Sequence, residues 1–167
     1  MADIVVCDYA TILGELLRGA PDGKPYKIGA MYVEFENNGG VAVTPPTPLA
    51  AEGKSYYDGL LTHPTRDYLR VPATAVLLDS TDAALYPGGN RLTVIAQTAG
   101  VAGVHGKIFS DTVSSRVYGG ALVSTPDYGD QTQDLVYARF YYAAASQMVK
   151  LASSQLWVRR ELVFQAG

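Results

Sequence analysis

The chain has 167 residues, 48% of them hydrophobic and only 17% charged, with a formal net charge of −3. That length suits one domain (1–167) around one core, and the cations never cluster beyond the pair Arg159-Arg160, which excludes a phosphate-backbone binder. Cys7 is the single cysteine, so one chain can build neither an internal disulfide nor a thiolate metal cluster, as suits a reducing compartment.

Met1 to Cys7 lacks a basic segment followed by a long apolar one and does not read as a signal peptide. No apolar run approaches the ~20 residues a membrane-crossing helix needs. Average domains carry about 25% charged residues. The shortfall here points to a surface partly covered by a partner, because interface cores are depleted in charge. Twelve tyrosines, against one Trp and four Phe, suit both sheet faces and protein-binding faces.

An N-terminal arm and helix occupy residues 1–25. Ile4 to Cys7 reads as a strand that buries its thiol. Ala10 to Gly19 reads as a short helix, with Ile12, Leu13, Leu16 and Leu17 at helical spacing. Asp8 or Thr11 is placed to cap it, and Gly19 with Pro21 ends it. It is too short to stand alone and must dock. After the turn Pro21–Pro25, Tyr26 to Asn37 alternates: Met31, Val33 and Phe35 on one face, Tyr32, Glu34 and Glu36 on the other. This predicts a half-buried strand with the two glutamates facing solvent or a partner. Asn37-Asn38-Gly39-Gly40 supplies positive-φ positions for a tight turn.

From Thr44 to about residue 65, Pro45, Pro46 and Pro48 break any ladder, which predicts a long loop of little regular structure. Such loops are commonly functional or mobile. This one carries Tyr56, Tyr57, Leu60 and Leu61, with two fates open to them: packing on their own sheet, or reaching a neighbouring subunit. Arg66 to Asp79 is extended, with Pro72 signalling an edge or a bulge. Turns follow at Asp79–Asp82 and Pro87–Asn90. Arg91 to Thr98 is apolar on both faces, as a central strand is. Ala99 to Gly106 holds three glycines and can bend, and Lys107 to Phe109 can pair briefly. Arg116 to Ser124 is a strand interrupted by Gly119-Gly120, where a bulge or close backbone approach is expected.

Thr125 to Gln133 is a turn. Leu135 to Ala144 gives the strongest strand signal, with Val136, Ala138, Phe140 and Tyr142 on one face and Leu135, Tyr137, Arg139 and Tyr141 on the other. An Arg among tyrosines can stack on their rings. That face is a candidate subunit interface, or else is packed inside. Gln155 to Phe164 closes the chain as a strand. Seven or eight strands separated by Gly/Pro turns predict a mainly-β, antiparallel, jelly-roll-like β-sandwich with a short N-terminal helix and long loops.

Chemistry is sparse. His63 and His105 lack metal-ligand spacing. No P-loop, nucleophile elbow or dinucleotide fingerprint occurs. Asp127, Asp130 and Asp134, like Asp79 and Asp82, read as solvated turn carboxylates, with weak cation binding at Asp127 and Asp130 the alternative. No catalytic, cofactor-binding or metal residue is assigned, and an enzyme is not expected.

Three segments carry a resemblance: Met31-Tyr32-Val33-Glu34-Phe35-Glu36-Asn37 after a short helix; Gly89-Asn90-Arg91-Leu92-Thr93-Val94-Ile95-Ala96-Gln97-Thr98; and the strands around Leu135–Tyr141 and Leu156–Arg159. With the Thr/Ala/Gly/Tyr-rich composition, the chain resembles capsid decoration (cement) proteins of tailed bacteriophages. The resemblance implies a jelly-roll-like sandwich made in the host bacterial cytoplasm and carried on the capsid exterior of the virion. There it would bind the major capsid protein and its own copies as dimers or trimers, with no cofactor, nucleic acid or membrane. The candidate contact residues are Tyr56, Tyr57, Leu60, Leu61, Tyr137, Arg139 and Tyr141. Alternatives are a tail, neck or baseplate component, and a host-glycan-binding sandwich using Trp157 or Tyr56 and Tyr57 as its platform.

Overall fold

Alternating apolar runs and Gly/Pro turns resolve into eight strands and two helices among the described residues, 2–47, 49–97, 114–151 and 155–164 of a computed structural model. In chain order these are β1 (Ala2–Val5), α1 (Asp8–Leu17), β2 (Ile28–Asn37), α2 (Lys54–Leu60), β3 (Arg66–Asp79), β4 (Arg91–Gln97), β5 (Ser115–Ser124), β6 (Leu135–Tyr141), β7 (Met148–Lys150) and β8 (Trp157–Val163). The bend expected at Ala99–Gly106, the pairing expected at Lys107–Phe109, and His105 lie outside the described residues.

All strand pairings are antiparallel. The sheet order is β1-β6-β5-β2-β3-β4-β8, with β7 also paired to β5. The protein is therefore mainly β, a curled antiparallel sheet forming half a barrel in a sandwich-like arrangement. Strand β3 makes the curl. Its first half pairs with β2 through Pro72, and its second half pairs with β4 from Ala73. One extra residue, Thr74, is accommodated between Ala73 and Ala75. A proline lacking its N–H and a neighbouring bulge bend the strand where it changes partner. Met31, Val33, Phe35, Leu69 and Val71 thereby share one core with Val94, Ala96 and Val158.

The opposite face of β2 is covered as well. Ala30, Tyr32, Tyr68, Ala121, Val123 and Val136 pack under Val6 and the α2 residues Tyr57 and Leu60. The expected half-buried strand is thus buried on both faces, because the 44–65 segment folds over it. That segment is not the irregular loop its prolines suggest, since it contains α2. Other expectations also shift. Helix α1 starts two residues early, with Ile12 buried and Leu16 and Leu17 exposed. Cys7 lies past the end of β1 and is exposed rather than buried. Gly39 and Gly40 have φ of 76° and 80°, as the turn after β2 requires.

Candidate functional site

Glu34 is the centre of the first candidate site. The period-2 pattern puts it opposite Val33 and Phe35, where solvent was expected, yet it is 0% exposed. Tyr57 Oη donates to its Oε1 at 2.6 Å and Tyr56 Oη to its Oε2 at 3.2 Å. Both tyrosines come from α2, so the cover supplies the partners that its own burial of the carboxyl demands. Burial and the charge of the same carboxylate raise the pKa of Tyr118, whose hydroxyl completes no hydrogen bond among the described residues. Burial raises the Glu34 pKa above its ordinary value; the Arg139 charge and the neighbouring phenols oppose the rise without cancelling it. Burial and the neighbouring carboxylate also raise the pKa values of Tyr57 and Tyr56, which therefore remain donors.

Arg139, on β6, completes the cluster and is likewise 0% exposed. Its guanidinium stacks 3.5 Å from the Tyr56 ring centroid, with the Tyr57 and Tyr141 rings at 5.7 and 5.4 Å. Its Nη1 donates to Glu52 Oε2 at 3.2 Å and its Nη2 to the Tyr141 hydroxyl. Strand β5 separates β2 from β6 and makes room with glycine. Gly119 lies opposite both Glu34 and Tyr141, and Gly120 opposite both Val33 and Phe140. A Cβ on Gly120 would stand 2.2 Å from the Tyr32 carbonyl oxygen. The close approach expected of this glycine pair is therefore real, and the register slips beside it, with Tyr118 as the extra residue.

A second bulge rearranges β6. Leu122 pairs with Ala138 but Val123 pairs with Val136, which leaves Tyr137 as the extra residue. The faces of β6 exchange at that point. Val136 packs in the same cluster as Ala121, and Phe140 packs in the core on the other side. Strict alternation had put Val136 and Phe140 on one face. Tyr137 instead meets Tyr9 of α1 edge-on at 5.1 Å.

A second buried charge pair fastens the turn before β6. Arg70 Nε and Nη2 donate to Asp134 Oδ2 and Oδ1 at 2.7 and 2.8 Å, with both side chains fully buried. Tyr32 Oη donates to Asp134 Oδ2 at 2.6 Å, and Arg70 Nη1 to the Tyr128 carbonyl oxygen at 2.9 Å. Asp134 is therefore not the solvated carboxylate expected of a turn. Asp127 and Asp130 do sit in turns, each accepting from a backbone N–H two residues on. Asp8 does not cap its own helix. Its Oδ2 accepts from the N–H groups of Lys54 and Val136 at 2.9 and 3.0 Å, joining the start of α2 to β6.

Of the predicted contact residues, Tyr56, Tyr57, Arg139 and Tyr141 thus meet in one interior cluster. Leu60 packs beside it, Tyr137 is half-buried, and Leu61 is exposed. In the single chain the packing of these side chains on their own sheet prevails over presentation to a neighbour, and Tyr57 is no glycan platform. Glu34, Glu52 and Tyr118 were missed as members. The one signal for Glu34 was an acid inside an otherwise apolar strand run.

The open surface lies elsewhere. The second half of β3, with β4 and β8, extends beyond the part of the sheet covered by α2. Val76, Leu77, Leu78, Trp157, Val163 and Phe164 are exposed there, Trp157 at 62%. Four charges on this extension are paired: Arg91 grips Asp79 through two 2.7 Å bonds, and Arg159 meets Glu161. A groove of about 600 Å³ where β3 leaves β2 is lined by Ile28, Ala73, Val76, Thr125 and Tyr128 among others. Among the described residues no group of three or more His, Cys, Asp or Glu is placed to hold a metal ion, and no helix is long and apolar enough to cross a membrane. No protein-family model, curated protein or solved structure matches the chain.

Proposed function

We propose that this protein is a structural component of a tailed-phage virion that binds the outer capsid surface and ties neighbouring major capsid subunits together. The observation that carries this reading is the β3–β4–β8 extension, whose aliphatic and aromatic side chains are exposed on both faces while Asp79, Arg91, Arg159 and Glu161 pair among themselves. Contiguous exposed apolar surface of this kind marks a contact with another protein, and paired charges at its rim set orientation more than affinity. The covered half of the sheet supports the same reading. Its acids and arginines are tied into clamps that hold the fold, so the work falls to the surface. A protein that binds only the assembled lattice stabilises it by mass action.

The test is to heat otherwise identical particles assembled with and without the protein and to follow DNA release. Earlier release from the particles lacking it is expected. Identical release curves overturn the reading. Copy number separates it from a tail or neck component: hundreds of copies per particle accord with a capsid lattice, a single ring's worth with a neck.

A further inference from the structure

Strand β8 ends the sheet, paired to β4 on one side only among the described residues. Its backbone polarity follows from its pairing. Phe164 N–H donates to the Asn90 carbonyl oxygen at 2.8 Å, one step beyond the Arg91–Val163 pair of the β4–β8 register. In an antiparallel ladder the hydrogen-bonded pairs alternate. Even-numbered residues of β8 therefore aim their N–H and C=O groups at β4, and Trp157, Arg159, Glu161 and Val163 aim theirs outward.

We propose that this edge pairs with the same edge of a second copy, antiparallel about a two-fold axis through Arg160. In that register Trp157 meets Val163 of the other copy, Val158 meets Leu162, and Arg159 meets Glu161, each contact occurring twice. The outward-facing residues pair only with one another, so every outward N–H and C=O from Trp157 to Val163 finds a partner. Chemistry agrees at each position: apolar opposite apolar, cation opposite anion. Shifting the register two residues either way sets Arg159 against Arg159 or Glu161 against Glu161, and like charges directly opposite are unfavourable. Charged residues on an exposed edge normally discourage pairing. Here opposite charges occupy mirror positions, so they discourage other strands and match this one.

Arg160, on the axis, is the one position where like meets like. Its guanidinium lies 4.8 Å from the Phe140 ring centroid on β6, drawn across the inside of the curl and away from its symmetry mate. Arg159 and Glu161 are both exposed in the single chain, so exchanging their mutual contact for the same contact across the axis requires no repacking. The result is an isologous dimer in which two three-stranded extensions join into one sheet. It stands whether or not the faces of that sheet meet a capsid, and its failure would leave the capsid reading intact.

The experiment uses the full chain and two charge reversals at exposed positions, with circular dichroism to verify folding. Light scattering after gel filtration should give a dimer for the unaltered protein. Arg159→Glu places acid opposite acid and Glu161→Arg places base opposite base, so each should weaken dimerisation by about tenfold or more. Mixing the two variants should produce a heterodimer, because every charged pair is then opposite in sign. The double variant R159E/E161R should dimerise again. A monomeric unaltered protein, single variants that dimerise normally, or a mixture that stays monomeric would each overturn the proposal.

Discussion

The ring of Tyr141 occupies the space into which any side chain at Gly119 would project: a Cβ there would stand 2.3 Å from Tyr141 Cδ1 and 2.6 Å from the Phe140 carbonyl oxygen. The contact lets Tyr141 lie across β5 and present its hydroxyl to Arg139. The backbone oxygen cannot move without disturbing the β5–β6 ladder. Gly119→Ala is therefore expected to destabilise the fold by about 1–3 kcal/mol, the range for overpacking a filled interior. Urea unfolding measures it, and an unchanged midpoint would show that the strands separate easily.

Arg70 and Asp134 make a bidentate, fully buried pair with Tyr32 as a third partner. Removing one partner leaves the other charged and buried, so Arg70→Met alone should cost about 3–5 kcal/mol. Replacing both, as R70M/D134L, should recover much of that loss. The double-mutant cycle provides the check: simple additivity would mean that the pair is not acting as one unit.

Tyr57 and Tyr56 donate to the two oxygens of one carboxyl at different lengths, 2.6 and 3.2 Å. Tyr57→Phe should cost about 1.5–3 kcal/mol, the range for a buried hydrogen bond to a charged group, and Tyr56→Phe distinctly less. Thermal melts of the two variants rank them directly. Leu61→Ala, on the exposed side of the same segment, should fall within about 0.5 kcal/mol of the unaltered protein.

The raised pKa of Glu34 has a definite sign in stability. The folded protein binds its proton more tightly than the unfolded chain does, so unfolding releases a proton in the window between the two pKa values. This group's contribution is most favourable below its ordinary pKa and declines as pH rises through the raised folded one. The stability of the unaltered protein relative to Glu34→Gln should accordingly fall with rising pH across that window. Denaturant titrations of both proteins over a pH series test this, and parallel curves would remove Glu34 as the source.

Cys7 is exposed, with its Sγ donating to the Ala51 carbonyl oxygen at 3.3 Å. A thiol reagent should modify it in the native state without prior unfolding. Labelling only in denaturant would place the thiol in the interior.

Several elements were legible in the sequence because their determinants are local. The bounds of β3 match the extended segment read from Arg66 to Asp79. Pro72 marked its bend, and Gly119-Gly120 marked the close approach in β5. The central place read for Arg91–Thr98 fits β4, which pairs with β3 on one side and β8 on the other. The candidate cluster was only half visible. Tyr56, Tyr57, Arg139 and Tyr141 were singled out, but interior packing and contact with a neighbour both stayed open for them. Glu34 was assigned to the surface because alternation says which residues share a face, not what covers it. The seven-residue helix α2 is too short for its apolar spacing to stand out among prolines. The bulge at Tyr137 reverses a face with no local mark at all.

By itself, then, the sequence determined the class of fold, the placement of most strands and the sites of the tight turns, since backbone preferences and apolar alternation act over a few residues. Only the tertiary structure decided which faces are covered and which buried charges are matched. Among the described residues it also decided which strands, β1 and β8, stand at the ends of the sheet. Those outcomes depend on segments far apart in the chain closing over one another, such as Tyr57 over Glu34 and Arg70 onto Asp134, and no spacing within a single strand encodes the distance between them.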